Sequence, residues 1–156
     1  MLECNRKYLL KTFPNLYINK DEPADRYNIP FWFECGDGWF DLIRRTSVEL
    51  ELLILDFIKT NPHVPETKRP CAKEIKEYRG KLKIVMRFAT PAMKEVVEKA
   101  QEESTHICEF CGDKGELQQI GWLITICENC AEARGYINKE IVFEDKRTKE
   151  HRKRDK

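Results

Sequence analysis

Four of the seven cysteines occur as two pairs with the same internal spacing. The pairs are Cys108-Glu-Phe-Cys111 and Cys127-Glu-Asn-Cys130, and fifteen residues separate them. Two C-x-x-C pairs at this separation are typical of a structural zinc site. Four thiolates complete a tetrahedral shell around one Zn²⁺ ion and leave no position for water or substrate. The pattern therefore predicts one structural zinc ion held by Cys108, Cys111, Cys127 and Cys130.

Two other chemistries use the same residue types. A thioredoxin-like redox pair requires a C-x-x-C that opens a helix within a βαβ unit, and neither pair has that context. An iron–sulfur cluster also takes four cysteines and stays open as an alternative to zinc. His106 lies two residues before Cys108. Because four cysteines already complete the shell, we expect His106 to face solvent or to lie outside the metal shell.

The residues around the cysteines predict the elements that must position them. A turn over residues 108–112 has the form of a zinc knuckle, and residues 116–120 and 122–126 flank a glycine as a hairpin would. The second cysteine pair opens a short helical segment over residues 128–134, which Gly135 ends. A knuckle, a hairpin and ligands at a helix start form the treble-clef arrangement. We therefore predict a treble-clef module over residues 106–137.

The preceding residues predict an α+β body over residues 1–105. Leu82 and Ile84 alternate with polar residues at the period of a half-buried strand. Thr90 and Pro91 are typical of a helix N-cap and first helical position. The predicted fold class is thus α+β, with helices, a small antiparallel sheet and a Cys4 zinc module. We expect helices over residues 3–12, 39–60 and 91–103, an aromatic strand over 31–35, and a hairpin of strands over 71–78 and 82–88.

Charge is unevenly distributed along the chain. The formal net charge is only +1, but residues 144–156 carry seven Lys or Arg against four Asp or Glu, and the remainder carries 21 against 23. A near-neutral body argues against nucleic-acid binding over a broad basic surface. We therefore expect a charged, flexible tail over residues 138–156 that holds the basic character of the chain.

The cysteine count and the hydropathy pattern indicate a reducing compartment. The first residues lack the apolar region of a secretory signal, and no stretch approaches eighteen consecutive apolar residues. We therefore expect a cytoplasmic protein without a membrane partner. Outside the quartet, we interpret Cys4, Cys35 and Cys71 as buried free thiols, since free cysteine is commonly buried.

Several short segments of the chain form a recognisable combination. They are Phe33-Glu-Cys-Gly-Asp-Gly-Trp-Phe-Asp-Leu-Ile43, Lys76-Glu-Tyr-Arg-Gly80, Leu82-Lys-Ile84, residues 108–117, Gly121-Trp-Leu123 and Cys127-Glu-Asn-Cys130-Ala. Together they resemble a family of small uncharacterised proteins of phages and prophages that end in a zinc-finger-like segment. The resemblance covers roughly residues 13–136, although relatives often have histidine as the last ligand, where this chain has Cys130. It implies a phage or mobile-element origin and, if so, a host-cell cytoplasm.

These observations favour a non-catalytic binding protein that engages a host or viral macromolecule, for example as an inhibitor of a host defence system. We expect the partner to be a protein, with nucleic acid bound by the basic tail as the alternative. We interpret Trp32, Trp39 and Trp122 primarily as core residues. The candidate partner contacts are the acidic loop over residues 21–25, the neighbourhood of Asp37 and Trp39, and the tail residues Lys146, Arg147, Arg152, Lys153 and Arg154.

A treble-clef nuclease is the enzymatic alternative. Such enzymes need a catalytic histidine and a second metal ion, and this chain has only His63, His106 and His151. None of the three has a second histidine beside it. The chain also lacks a P-loop and the G-x-S-x-G and H-E-x-x-H motifs. We therefore expect no catalytic activity.

Overall fold

The computed structural model describes residues 1–17 and 33–136, and their arrangement confirms the predicted α+β class. Three helices and a three-stranded sheet come first, and a two-stranded hairpin and a short helix follow. The helices are α1 (Glu3–Thr12), α2 (Phe40–Thr60), α3 (Pro91–Glu103) and α4 (Glu128–Ala133), and the strands are β1 (Phe33–Glu34), β2 (Cys71–Tyr78), β3 (Lys81–Arg87), β4 (Glu116–Gln119) and β5 (Leu123–Ile126).

The predicted helices are confirmed, and α3 begins as its sequence indicates. The Thr90 hydroxyl accepts a hydrogen bond from the Met93 amide at 3.4 Å, and Pro91 occupies the first turn. Helix α2 begins in a different way. A 3₁₀ turn over Asp37–Trp39 leads into this helix, and no side chain caps it.

The body sheet has the strand order β1-β2-β3 and is mixed rather than purely antiparallel. Strands β2 and β3 form the predicted antiparallel hairpin, with Tyr78 opposite Lys81. Both residues of the connecting turn, Arg79 and Gly80, have positive φ, as the tight turns that match strand twist require. Strand β1 instead pairs parallel to β2, with Phe33 opposite Ile75, and the connection between them contains α2. A parallel pair needs such a long connection.

The main core lies between the sheet and the helices. Trp39, Ile43 and Ile54 are fully buried beside Leu82 from the sheet. The turn after α1 is held against α2 by a buried carboxylate, that of Glu51. Its oxygens accept hydrogen bonds from the backbone amides of residues 15 and 16 and from the residue 15 side-chain amide at 2.7–3.1 Å.

The long helix α2 carries large apolar side chains that the other described elements leave partly uncovered. Val48, Leu52 and Leu55 are 41%, 61% and 47% exposed. Helix α3 is its main neighbour, and an Arg45–Glu103 ion pair of 2.6 Å joins the two.

Among the described residues, no helix is both long enough and apolar enough to cross a bilayer.

The predicted free thiols divide into two groups. Cys35 and Cys71 are buried, as expected, whereas Cys4 is exposed, so that part of the prediction is wrong. Cys4 lies in the first turn of α1, where it faces solvent, while the buried side of that helix carries Leu9.

Candidate metal centre

The four paired cysteines converge from two ends of the C-terminal module. Cys108 and Cys111 lie in the turn that follows α3, and Cys127 lies at the N-cap of α4, one turn before Cys130. Their sulfur atoms all lie within 4.8 Å of one another. The two sequence-distant pairs therefore form one cluster, as the spacing predicts. Within residues 1–17 and 33–136, this is the one group of cysteine, histidine and acidic side chains suited to a metal ion.

The cluster has the dimensions of a tetrahedral metal–thiolate shell. At a Zn–S distance of about 2.3 Å, two sulfurs on a tetrahedron are about 3.8 Å apart. The sulfurs of Cys111 and Cys127 are 3.6 Å apart. All four donors are soft sulfur atoms, which suit zinc and iron–sulfur centres and not magnesium or calcium. The residues present therefore fit a single metal ion with four thiolate ligands.

The backbone of the knuckle turns the first pair towards this centre. The Cys108 amide donates to the Asp113 carbonyl at 2.7 Å, and the Gly112 amide donates to the Cys108 carbonyl at 3.0 Å. Gly112 has φ +83°, a left-handed conformation that glycine adopts at little cost. At the second pair, the Cys130 amide donates to the Cys127 sulfur at 3.4 Å. Backbone N–H groups thus face sulfur atoms that must carry negative charge when metal is bound.

The electrostatics of the four thiols are unequal. Burial opposes ionisation of Cys108, but hydrogen bonds from the amides of Cys111, Cys127 and Phe110 outweigh it and lower the pKa of Cys108 to about 7. Burial raises the pKa of both the Cys111 and the Cys130 thiol, and neighbouring sulfurs contribute to the increase. A bound dication would favour the thiolate form of the cysteines that hold it.

The module around the cluster has a small hydrophobic core of its own. Its buried residues are Cys108, Ile124, Ile126 and Ala131. At its surface the Arg134 guanidinium lies 3.5 Å from the centre of a phenylalanine ring at residue 110. Segments of fewer than about 40 residues rarely bury enough apolar surface to fold without disulfides, metal or a partner. A metal ion held by the cysteine cluster would add stability to this small module.

The knuckle is also fastened to the body, through Glu109. The Gly38 amide donates to the Glu109 carbonyl at 2.8 Å. The Gly36 amide donates to the Glu109 carboxylate, also at 2.8 Å. Burial raises the pKa of this carboxyl group. Glu109, one of the two residues between the cysteines of the first pair, therefore joins the cysteine cluster to the loop before α2.

The two glycines of this loop are required by the close approach of the backbones. A Cβ atom at Gly36 would lie 2.2 Å from the Glu109 carbonyl oxygen, and one at Gly38 would lie 2.2 Å from the Cys108 carbonyl oxygen. Both distances are far below van der Waals contact, and the opposing atoms belong to the backbone and have little freedom to move. The Gly36-Asp37-Gly38 sequence is therefore a docking surface for the knuckle, in addition to a break before α2.

Two further hydrogen bonds join the module to the body. The Trp39 indole nitrogen donates to the Ile107 carbonyl at 2.8 Å, just before the first ligand. The Thr125 hydroxyl, on β5, donates to the Gly80 carbonyl at 2.6 Å. Both contacts are long-range in sequence, so the module and the body sheet hold each other in place.

The candidate partner contacts near α2 have structural roles. Trp39 is 0% exposed, so its prediction as a partner contact is wrong and its alternative interpretation as a core residue is confirmed. The Asp37 carboxylate accepts hydrogen bonds from the Leu2 amide at 2.8 Å and the Asn5 side chain at 3.0 Å. Asp37 therefore ties the start of α1 to the loop that meets the knuckle.

Other predicted contacts fall outside the described residues. These are the acidic loop over residues 21–25 and the tail residues Lys146, Arg147, Arg152, Lys153 and Arg154. Trp32, which we expected in the core, also lies outside the described residues. Trp122, which we expected in the core, is 55% exposed and stacks edge-on against Tyr136 with ring centroids 5.7 Å apart.

The histidines lie apart from the cysteine cluster. His106 faces solvent, as expected, and His63 is exposed in the loop after α2. His151 lies outside the described residues. Neither described histidine joins a group of metal-binding side chains.

Sequence reasoning missed the role of Glu109 and of the Gly36–Gly38 pair. The signal was present, since two glycines two residues apart indicate a close backbone approach. No local pattern, however, indicates which distant segment approaches these glycines.

Compared with known proteins, the chain matches no family model, no curated protein and no solved structure at a significant level.

Proposed function

We propose that the protein is a zinc-stabilised, non-catalytic binding protein whose partner is a macromolecule, preferably another protein. In this proposal one Zn²⁺ ion is bound by Cys108, Cys111, Cys127 and Cys130 in a treble-clef module. The ion is structural, and it fixes the knuckle on which the loop before α2 rests.

The observation that carries the proposal is the convergence of four cysteine sulfurs within 4.8 Å of one another. Four protein thiolates fill a tetrahedral shell, and catalytic zinc sites keep one position open. The succession of knuckle, hairpin β4–β5 and helix α4 supports the treble-clef assignment. The absence of histidine from the cluster, among the residues described, supports a structural role over a nuclease centre.

Cobalt substitution tests the closed shell. The zinc-loaded protein would be exchanged with Co²⁺, and its visible spectrum recorded before and after addition of azide or a small thiol. We expect a tetrahedral thiolate spectrum that does not change, because no coordination position is open. A spectrum that changes with the added ligand would reveal an open position and would contradict the structural, non-catalytic role.

Nucleic-acid binding is a second candidate, favoured by the seven basic residues within residues 144–156. Contacts to phosphates would make the affinity fall steeply with salt. Binding to duplex and single-stranded DNA would be compared for the full chain and a chain ending at Phe143. Loss of salt-sensitive binding on truncation would support this candidate. Equal affinity of the two chains would show that the tail does not bind nucleic acid. The phage origin and a role against host defence stay predictions from the resemblance.

A further inference from the structure

An open groove lies between α2 and α3, on the part of the body away from the metal cluster. Its volume is about 570 Å³. The apolar floor and wall are formed by Leu52, Leu53, Ala92 and Val96. Leu52 is 61% exposed, the highest value among the large apolar side chains of α2. A hydrophobic groove is a form of surface that receives the apolar face of a partner helix.

The groove has the length of a short helical contact. Its lining extends from Glu49 to Asp56 on α2 and from Ala92 to Lys99 on α3. Seven residues of helix cover about 10 Å, or two turns. This length suits a partner helix that inserts two or three apolar side chains at i, i+3 or i+4 and i+7. One turn beyond, the Arg45–Glu103 pair bridges the two helices.

The rim of the groove is acidic. Glu49, Asp56 and Glu95 line it against a single basic residue, Lys99. Among residues 1–17 and 33–136, no ion pair or side-chain hydrogen bond involves any of these three carboxylates. Like charges around an apolar floor repel phosphate groups, so the rim disfavours nucleic acid and anionic membranes. It favours lysine and arginine on the partner.

The same charges disfavour a second copy of this chain as the occupant. In a two-fold dimer each protomer presents the same patch to the other. Such a contact through the groove would bring Glu49, Asp56 and Glu95 of both protomers to one interface. Only Lys99 from each protomer would offset them.

We propose that the groove binds an amphipathic helix of a partner protein, with apolar residues on one face and lysine or arginine beside them. The inference rests on the proposed binding function and names the chemistry of its partner. The apolar face fills the space over Leu52, Leu53 and Val96, and the basic flanks meet Glu49 and Glu95. The interface is separate from the metal cluster, which stabilises the protein without contacting the partner.

Two synthetic helical peptides test the proposal. Both carry the same leucine stripe, and the flanking positions are lysine and arginine in one and glutamate in the other. Binding to the full zinc-loaded chain would be followed by fluorescence anisotropy and by methyl NMR. We expect the basic peptide to bind at least about tenfold more tightly and to shift the signals of Leu52, Leu53, Ala92 and Val96.

Leu52→Asp and Leu55→Asp are a matched pair of variants. Leu52 lines the groove, whereas Leu55 does not, although it lies on the same helix and is 47% exposed. Leu52→Asp should reduce binding of the basic peptide by more than tenfold, because it places a carboxylate over the apolar floor. Leu55→Asp should leave binding within about twofold of the parent chain. The double change Glu49→Lys and Glu95→Lys should reverse the preference between the peptides. Zinc content should stay at the parental value in all three variants.

Several results would overturn the inference. These are equal affinity for the two peptides, no binding of either, or signal shifts confined to the zinc module. The last result would be consistent with a binding function but would show that the groove is not the binding site. Sedimentation showing a dimer that Leu52→Asp dissociates would identify a second copy as the occupant. Peptide binding that appears only after removal of residues 137–156 would identify the chain's own C-terminal segment instead.

Discussion

At the residue scale, the four metal-binding cysteines differ in their surroundings. Cys108 is 0% exposed and its carbonyl lies against the body loop, whereas Cys111 is exposed. Hydrogen bonds from backbone amides lower the pKa of Cys108 to about 7 and so prepare it for metal binding. The most deeply buried of the four cysteines thus receives backbone hydrogen bonds that favour its thiolate form.

Cys108→Ser should therefore abolish stoichiometric zinc binding. Loss of a structural metal belongs to the small class of changes that cost more than about 4 kcal/mol in the free energy of unfolding. The measurement is zinc content by mass spectrometry together with urea unfolding. Cys4→Ser is the matched control, because Cys4 is an exposed thiol outside the cluster, and it should keep one zinc ion and its stability. Full zinc occupancy in Cys108→Ser would contradict the ligand assignment.

Cys35 supplies a prediction about pH. Burial raises the pKa of its thiol to about 12, while an unfolded cysteine ionises near pH 8.5. Above that pH the unfolded chain loses this proton and the folded protein keeps it, so stability falls as the pH rises. Through this thiol, the free energy of unfolding is about 2 kcal/mol lower at pH 10 than at pH 7. The cost of Cys35→Ala, measured by urea unfolding, should therefore be smaller at pH 10 than at pH 7 by about that amount. The same cost at both pH values would show that the thiol ionises freely in the folded protein.

At the element scale, the contact between the knuckle and the loop before α2 joins the C-terminal module to the body. The Glu109 carboxylate accepts a hydrogen bond from the Gly36 amide. Glu109→Ala removes that acceptor and should cost about 1–3 kcal/mol, since a partly buried amide is left without a partner. Glu109→Gln keeps an acceptor oxygen and is neutral, which suits a site where burial raises the carboxyl pKa. It should therefore lower the free energy of unfolding by less than about 1 kcal/mol. Thermal unfolding of the zinc-loaded variants measures both values. Equal losses for the two would mean that the hydrogen bond does not hold the loop.

Local features of the fold could be predicted from the sequence, whereas contacts between distant segments could not. The cap at Thr90, the alternation of Leu82 and Ile84, and the cysteine spacing are local patterns, and each predicted its element or site correctly. The parallel pairing of Phe33 with Ile75 is not local, and no short pattern specifies which edge of a hairpin a distant strand joins. Trp39 shows the same limit, because a tryptophan after a glycine turn is equally compatible with a surface contact and a core position. In the structure Trp39 is buried, and its indole nitrogen donates to the carbonyl of Ile107, from a distant segment.

At the scale of the whole molecule, metal removal should loosen the body as well as the module. Trp39 is buried and its indole donates to the Ile107 carbonyl beside the first ligand. In a chain carrying Trp32→Phe and Trp122→Phe, Trp39 is the only fluorophore of its type. A strong zinc chelator should shift its emission to longer wavelength as water reaches the ring, and added zinc should restore the original spectrum. An emission unchanged on complete zinc removal would show that the body holds Trp39 without the module.

The central claim is that the four cysteines hold one structural zinc ion. Metal analysis combined with X-ray absorption at the zinc edge, on protein purified without added metal, tests it most directly. We predict one zinc ion per chain with four sulfur neighbours at about 2.3 Å and no oxygen or nitrogen neighbour. Iron with inorganic sulfide, or zinc with a water or nitrogen ligand among its neighbours, would contradict the claim.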